Sequence, residues 1–336
     1  METDSLNTVK QENPEIGSSV MQRIQRSISK ADQGIGILSV LGAVVLWSSS
    51  YVVTKIGVGD IPPLTFAAIR FVIAAILMGA LALTVQRLEP VPAKDLLRLA
   101  LGGLLGITAY FSLQNLGVQR TSAADATLLV ASFPVITLLL EILFRKAQVN
   151  FRQIAGIAIA IGGIYLVIDL SGAQAAPDRL EGNLLLLATG LAWALYNFAT
   201  QNVVQKYSTF TVIFWQTLFG MAALLPLALT EAKVWQPLSA AGLLGALYLG
   251  VFCSVGAFLL YGYGLKSLQP GLAVNLLNLV PVFGLLFAVL LLQEKIGLVQ
   301  ILGGLIVIGG VTLSVSAASR TQADAQVSES GRAVAE

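Results

Sequence analysis

Trp47-Ser48-Ser49-Ser50-Tyr51-Val52-Val53-Thr54 is answered later in the chain by Trp193-Ala194-Leu195-Tyr196-Asn197-Phe198-Ala199-Thr200. Both blocks place tryptophan, tyrosine and threonine at related positions in an apolar setting. Working outward, Gln153-Ile154-Ala155-Gly156 recurs as Gln300-Ile301-Leu302-Gly303, and Pro134 recurs as Pro281. The offset is about 146 residues at each match, so the chain is one unit written twice.

Each unit holds five apolar runs of about 20 residues, the length that crosses a bilayer as a helix. They fall near 36–55, 63–84, 97–118, 122–144 and 151–170, then near 182–203, 210–230, 239–264, 270–293 and 296–316. Pro62-Pro63, Pro90, Pro92, Asp178, Lys206, Pro237, Pro270 and Glu294-Lys295 punctuate them. An odd number of spans turns the second copy over, which is the arrangement of many secondary transporters. The expected fold is an all-α integral membrane protein, with ten transmembrane helices as two inverted five-helix repeats. Residues 35–170 form the first repeat, 171–181 a linker and 182–316 the second. Residues 1–34 and 317–336 are polar tails.

Composition narrows the function. Hydrophobic residues make up 56% of the chain and charged residues 11%, against roughly a quarter charged in soluble domains. There is no histidine, so an imidazole metal site, a Ser-His dyad and an imidazole proton relay are excluded. Cys253 is the single cysteine, which excludes an internal disulfide and reads as a packing residue. A net charge of +2 gives no case for nucleic acid. No Gly-rich phosphate loop ending in Lys-Ser or Lys-Thr is present, so energy must come from a gradient. No metal or cofactor is expected.

Acidic residues in the first 34 positions argue against a cleavable signal or transit peptide. A solvated tail is expected there; a short surface helix with Met21, Ile24 and Ile28 on one face is the alternative. With the N-terminus cytoplasmic, only Lys55, Arg120, Arg179, Lys233 and Lys295 of the 20 lysines and arginines fall on outer loops. That bias places both termini in the cytoplasm and the chain in the cytoplasmic membrane as a multi-pass protein.

Polar side chains within spans mark cavities or partners. Trp47, Ser50, Tyr51 and Thr54 share one helical face, as do Trp193, Tyr196, Asn197 and Thr200. Both stripes are expected to line a shared central cavity; an interfacial aromatic belt is the competing reading. Arg70 is the one basic residue well inside a span, either an anchor for an acidic group or a snorkelling side chain. Its repeat counterpart is Gln216. Asn275 and Asn278 lie on one face of the ninth span and either contact solute or bond a neighbouring helix. Gln114 and Asn115 lie close enough to the interface for solvation to account for them. Glu141 is either a coupling carboxylate or the partner of Arg145 four residues on. Pro134 and Pro281 are hinges for alternating access or tolerated packing kinks. Gly156, Gly162, Gly163, Gly303, Gly304, Gly309 and Gly310 make the fifth and tenth helices packing or homodimer-contact elements.

These features resemble the drug/metabolite transporter superfamily, of the EamA-like type, over residues 36–316. The resemblance is carried by Trp47 through Lys55, by Arg70-Phe71, by Leu116-Gly117-Val118 with Thr121-Ser122-Ala123-Ala124, by Pro281 through Lys295, and by Gly156 and Gly303. It implies a cavity lined by helices one to four and six to nine, with five and ten peripheral. It also implies export or exchange of small solutes such as amino acids, nucleobases or drug-like compounds. Ser48 stands where the family usually has glycine, and Glu294 has Ala147 as its counterpart in the first half. The leading expectation is a secondary carrier that exports a small organic metabolite by alternating access. A channel or lipid flippase is the alternative. A membrane enzyme is the remote one, since the chain offers no catalytic cluster.

Overall fold

The computed structural model describes residues 14–145, 150–168, 177–268 and 270–315. Among them there is no strand. The helices are α1 (Pro14–Asp60), α2 (Pro63–Thr84), α3 (Ala93–Arg120), α4 in two segments (Ala123–Val130 and Phe133–Arg145) and α5 (Phe151–Ile168). Then come α6 (Pro177–Val204), α7 (Thr209–Leu229), α8 (Ala240–Ser267), α9 in two segments (Pro270–Leu277 and Leu279–Leu292) and α10 (Leu298–Val315). Among the described residues eight helices are long and apolar enough to cross a membrane: α1, α2, α3, α5, α6, α7, α8 and α10. The two segments of α4, bent by 41°, make a ninth. The second segment of α9 is a shorter apolar helix.

Sequence chemistry sets the helix ends. Pro63 opens α2 at a position where its missing N–H costs nothing. Ser122, Ser208 and Ser239 are N-caps whose hydroxyls accept the N–H of Asp125, Thr211 and Gly242. At the start of α5, Asn150 N–H donates to Gln153 Oε1 (2.8 Å) and Gln153 N–H to Asn150 Oδ1 (2.9 Å), a reciprocal capping box. At the start of α10 the same device survives by half: Gly297 N–H donates to Gln300 Oε1 at 2.8 Å. Gln293, at φ 53°, closes α9, and Glu294 N–H reaches back to Ala288 O.

The structure departs from expectation in three places. Helical backbone runs unbroken from Pro14, the first described residue, into the first span, with no proline between Pro14 and Pro62. The 14–30 stretch is thus helical and continuous with α1; the expected face of Met21, Ile24 and Ile28 lies outside the described side chains. The fourth and ninth spans are broken, at Ala131-Ser132 and at Asn278. Pro134 and Pro281 sit just beyond the breaks, and neither can donate the backbone bond a continuous helix needs there. Finally, α3 and α8 widen into π-helix over Leu104–Ala109 and Leu249–Gly256, at repeat-equivalent positions. Residues 1–13, 146–149, 169–176 (most of the expected linker), 269 and 316–336 lie outside the described residues.

Contacts recur between the halves. The end of α8 and the second segment of α9 pack on α1; the end of α3 and the second segment of α4 pack on α6; α2 packs on α7. At one crossing a Cβ on Gly264 would lie 2.8 Å from Gly36 O; at the equivalent one a Cβ on Gly117 would lie 3.0 Å from Gly182 O. Only glycine admits such approaches, and in lipid this close packing replaces the hydrophobic drive.

Hydrogen bonds define two ends of the bundle. At one end Lys55 Nζ donates to the carbonyls of Val118 (2.9 Å), Gln119 (3.1 Å) and Thr121 (2.5 Å), capping α3. The Glu294 carboxylate accepts the N–H of Ala123 and Ala124 at the start of α4. Glu231 likewise accepts the N–H of Leu64 and Thr65 at the start of α2. Both carboxylates complement the positive end of a helix dipole. At the opposite end Lys206 donates to Asp95 (2.5 Å), with Tyr207 on the same oxygen, and Ser208 N–H donates to Glu89. The Asp95 bond raises the Lys206 ammonium above its ordinary pKa. The end of α1 therefore meets the end of α3, and the end of α6 meets the start of α3.

Candidate functional site

A cavity of about 40 Å³ lies at the centre, walled by α2, α3, α6, α7 and α8. Its lining includes Phe71, Phe111, Trp193, Tyr196, Gln216 and Ser254. The volume holds a few waters and no organic solute. The walls are mainly aromatic: Trp193 stacks on Tyr196 with ring centres 5.2 Å apart and meets Tyr110 edge-on at 5.9 Å.

Two polar groups on repeat-equivalent helices stand at the cavity, Gln216 in its wall and Arg70 behind it. Gln216 on α7 is 6% exposed. Its Oε1 accepts the Tyr196 hydroxyl at 3.3 Å, while its Nε2 is buried without a hydrogen-bond partner. Arg70 on α2 is 2% exposed and stands one layer behind the wall. Its Nε donates to Ser254 Oγ at 2.7 Å, and its guanidinium lies 4.3 Å from the Phe111 ring centre and 5.4 Å from that of Phe71. Snorkelling does not describe this side chain. No ion pair among the described residues involves it. Tyr51, 4% exposed, lies within electrostatic range of Arg70. A buried cation held by rings and hydroxyls rather than by a carboxylate carries an uncompensated charge, which costs several kcal/mol of desolvation.

A second, larger recess of about 230 Å³ lies between the second segment of α4 and the C-terminal half of α6. Thr137, Glu141, Asn197 and Gln201 line it, and Tyr196 borders both spaces.

The sequence-derived residues separate into groups. Trp193, Tyr196 and Gln216 line the cavity, and Asn197 lines the recess. Arg70 reaches the cavity through Ser254. Trp47 instead packs on Phe258 and Tyr261 and donates from Nε1 to Cys253 O at 3.2 Å. Ser50 is 5% exposed and bonds its own helix at Trp47 O. The two stripes are thus unequal: Trp193 and Tyr196 of α6 line the cavity, and Trp47 of α1 packs against α8. Asn278 sits at the break in α9; the Asn275 side chain lies outside the described residues, as does the Glu141–Arg145 pair. Pro134 and Pro281 flank the two breaks. Gln114 and Asn115 are 3% and 1% exposed, so solvation does not account for them; Asn115 Nδ2 donates to Pro63 O at 3.0 Å.

Sequence reasoning missed one cluster. Asp125 is fully buried in the first turn of α4. It accepts both Nε (2.7 Å) and Nη2 (3.2 Å) of Arg179, Nε2 of Gln300 (2.7 Å) and Oγ1 of Thr121 (2.9 Å). This ties the starts of α4, α6 and α10 together at the end where Lys55 and Glu294 act. The signal was present as Ser122-Ala123-Ala124-Asp125, a serine cap with an acid three residues on.

The chain has named relatives. The profile of the EamA-like transporter family matches residues 34–169 and 180–316. A "probable terminal-alkyne amino-acid exporter" of Streptantibioticus cattleyicolor is 30% identical, over 80% of this chain and 90% of that protein. A "probable amino-acid metabolite efflux pump" of Escherichia coli is 27% identical over 83% of this chain and 94% of that protein. An uncharacterized transporter of Archaeoglobus fulgidus is 27% identical over 81% and 94%. A solved crystal structure superposes with a TM-score of 0.56 at 20% identity, covering 87% of this chain and 99% of that one, which supports the fold. Two profile matches covering most of the sequence, on a bundle of membrane-length helices, show that the chain belongs to the EamA-like transporter family and is a multi-pass membrane transporter rather than an enzyme.

Proposed function

We propose that the chain is a secondary-active carrier that exports a small carboxylate-bearing metabolite of amino-acid type by alternating access. The observation that carries this reading is Arg70, buried at the edge of the central cavity without a carboxylate partner among the described residues. A substrate carboxylate supplies the missing charge, and Arg presents a planar fork matched to it. Gln216 Nε2, buried and unpartnered, offers a further donor to the same solute. The names of two relatives support an amino-acid class and the export direction.

Alternating access is supported by the closed centre beside a recess at the C-terminal end of α6, and by broken helices at Pro134 and Pro281 where hinges are needed. In this reading the ten helices form two inverted five-helix repeats, 35–170 and 182–316 joined by 171–181, with both termini in the cytoplasm. The Lys55–Glu294–Asp125 end is then the outer, closed one. The inner glycines of α5 and α10 are occupied within the chain: a Cβ on Gly156 would meet Gly310 O at 2.7 Å. A homodimer through these helices would use the opposite face, with Gly162 and Gly309, which meet nothing within 4 Å.

The test compares metabolites in the medium of cells expressing wild type, Arg70→Ala or empty vector at matched membrane levels. A carboxylate-bearing compound enriched outside with wild type alone supports the reading. Identical media in all three contradict export.

A further inference from the structure

Resting on the carboxylate reading at Arg70, we propose that the recess between α4 and α6 is a second subsite, one that takes the ammonium end of the solute through Glu141.

Among the described residues lining the recess, Glu141 is the one carboxylate. Around it stand neutral hydrogen-bonding groups, Thr137, Asn197, Gln201 and Gln205, and among the described residues of the lining no lysine or arginine. Asn197 Nδ2 is already committed to Trp193 O at 3.0 Å, which leaves its Oδ1 as an acceptor. A carboxylate and an amide oxygen in one partly enclosed space suit a group that only donates, and an ammonium is such a group with three N–H bonds. A carboxylate in the apolar segment Phe133–Arg145 is expensive to keep in a membrane helix without a functional use.

Position gives the subsite its role. Tyr196 borders both spaces. On the recess side the fixed charge is the Glu141 carboxylate; behind the cavity wall on the other side it is the Arg70 guanidinium. A zwitterion entering from the recess meets a negative group first and a positive group beyond Tyr196. The recess, at about 230 Å³, has the volume for a small amino acid, whereas the cavity, at about 40 Å³, must expand to receive one. The two charges therefore orient the solute, carboxylate leading and ammonium trailing, before the tyrosine moves.

The experiment measures equilibrium binding of two radiolabelled probes, n-butylammonium and n-butyrate, to the purified full-length protein. Wild type is expected to bind both. Glu141→Gln is expected to weaken butylammonium about tenfold or more, the loss of one charge-assisted hydrogen bond, while butyrate binding persists and reports a folded protein. Arg70→Ala is expected to do the reverse. No butylammonium binding by wild type, or equal binding by wild type and Glu141→Gln, overturns the proposal. Butyrate binding unchanged in Arg70→Ala overturns the carboxylate reading instead, so the two failures are distinguishable.

Discussion

The hydroxyl of Tyr196 donates to Oε1 of Gln216 at 3.3 Å, and this bond between α6 and α7 holds a tyrosine ring between the central cavity and the recess. Trp193 stacked beneath the ring at 5.2 Å fixes its plane. Tyr196 is thus a partition whose opening joins the two spaces. Replacing it with alanine should merge them. In proteoliposomes Tyr196→Ala is expected to leak preloaded solute several-fold faster than wild type when no counter-substrate is present. Tyr196→Phe keeps the ring and should leak far less. Equal leak rates in all three would show that the ring is no barrier.

Glu294 joins the end of α9 to the start of α4 through two backbone N–H groups, at 2.8 and 2.9 Å. The carboxylate meets orphan donors at the positive end of a helix, so removing it should cost about 1–2 kcal/mol. Hydrogen exchange at Ala123 and Ala124 is expected to accelerate in Glu294→Ala, and the melting temperature to fall by a few degrees. Exchange unchanged at those two amides would mean that water caps them equally well.

The Asp125–Arg179 pair buries its acid completely, while the arginine side chain keeps 26% of its surface exposed. Arg179→Ala strands a carboxylate among protein groups and should destabilise by about 3 kcal/mol, near the lower figure for breaking a buried pair. The double variant Asp125→Asn, Arg179→Ala removes the stranded charge and should recover part of that loss. Melting curves of the two singles and the double decide; strict additivity would show that the two residues are uncoupled.

On α5, a Cβ at Gly156 would lie 2.6 Å from Ser314 N and 2.7 Å from Gly310 O, whereas one at Gly162 meets nothing within 4 Å. Gly156→Ala must push α10 away and is expected to cost about 1–3 kcal/mol, the usual range for overpacking. Gly162→Ala in the same helix should leave thermal stability of the monomer within error. A reversal of that order would place the α5–α10 contact on the other face.

Much of the helical scaffold was legible because a bilayer demands long apolar runs and prolines mark their ends. Pro62-Pro63, Pro92 and Pro270 each fall at a helix start. The breaks at Ser132 and Asn278 were legible only as Pro134 and Pro281, since hydropathy averages across a broken helix. The π stretches at Leu104–Ala109 and Leu249–Gly256 were not legible, because a change of backbone register follows from packing between helices and leaves no mark in composition. At the site, Trp193, Tyr196 and Gln216 lie on one wall of the cavity, while Trp47 packs on Phe258 instead, because symmetry of sequence does not fix which residues a neighbouring helix covers. Asp125 was overlooked for a different reason. It falls beside a turn, where an acid ordinarily faces water, and its burial depends on Arg179 and Gln300, which are distant in sequence.

The central claim is that Arg70 recognises a carboxylate. Counterflow of a radiolabelled amino-acid mixture into proteoliposomes tests it directly, using unlabelled amino acids and their carboxamides as internal competitors. With wild type, the acids are expected to support exchange and the amides to fail. Arg70→Gln should reduce exchange by about tenfold or more and lose the distinction between acid and amide, as removal of a charge-assisted bond requires. Wild-type exchange supported equally by acids and amides, or an Arg70→Gln protein that still tells them apart, would contradict it.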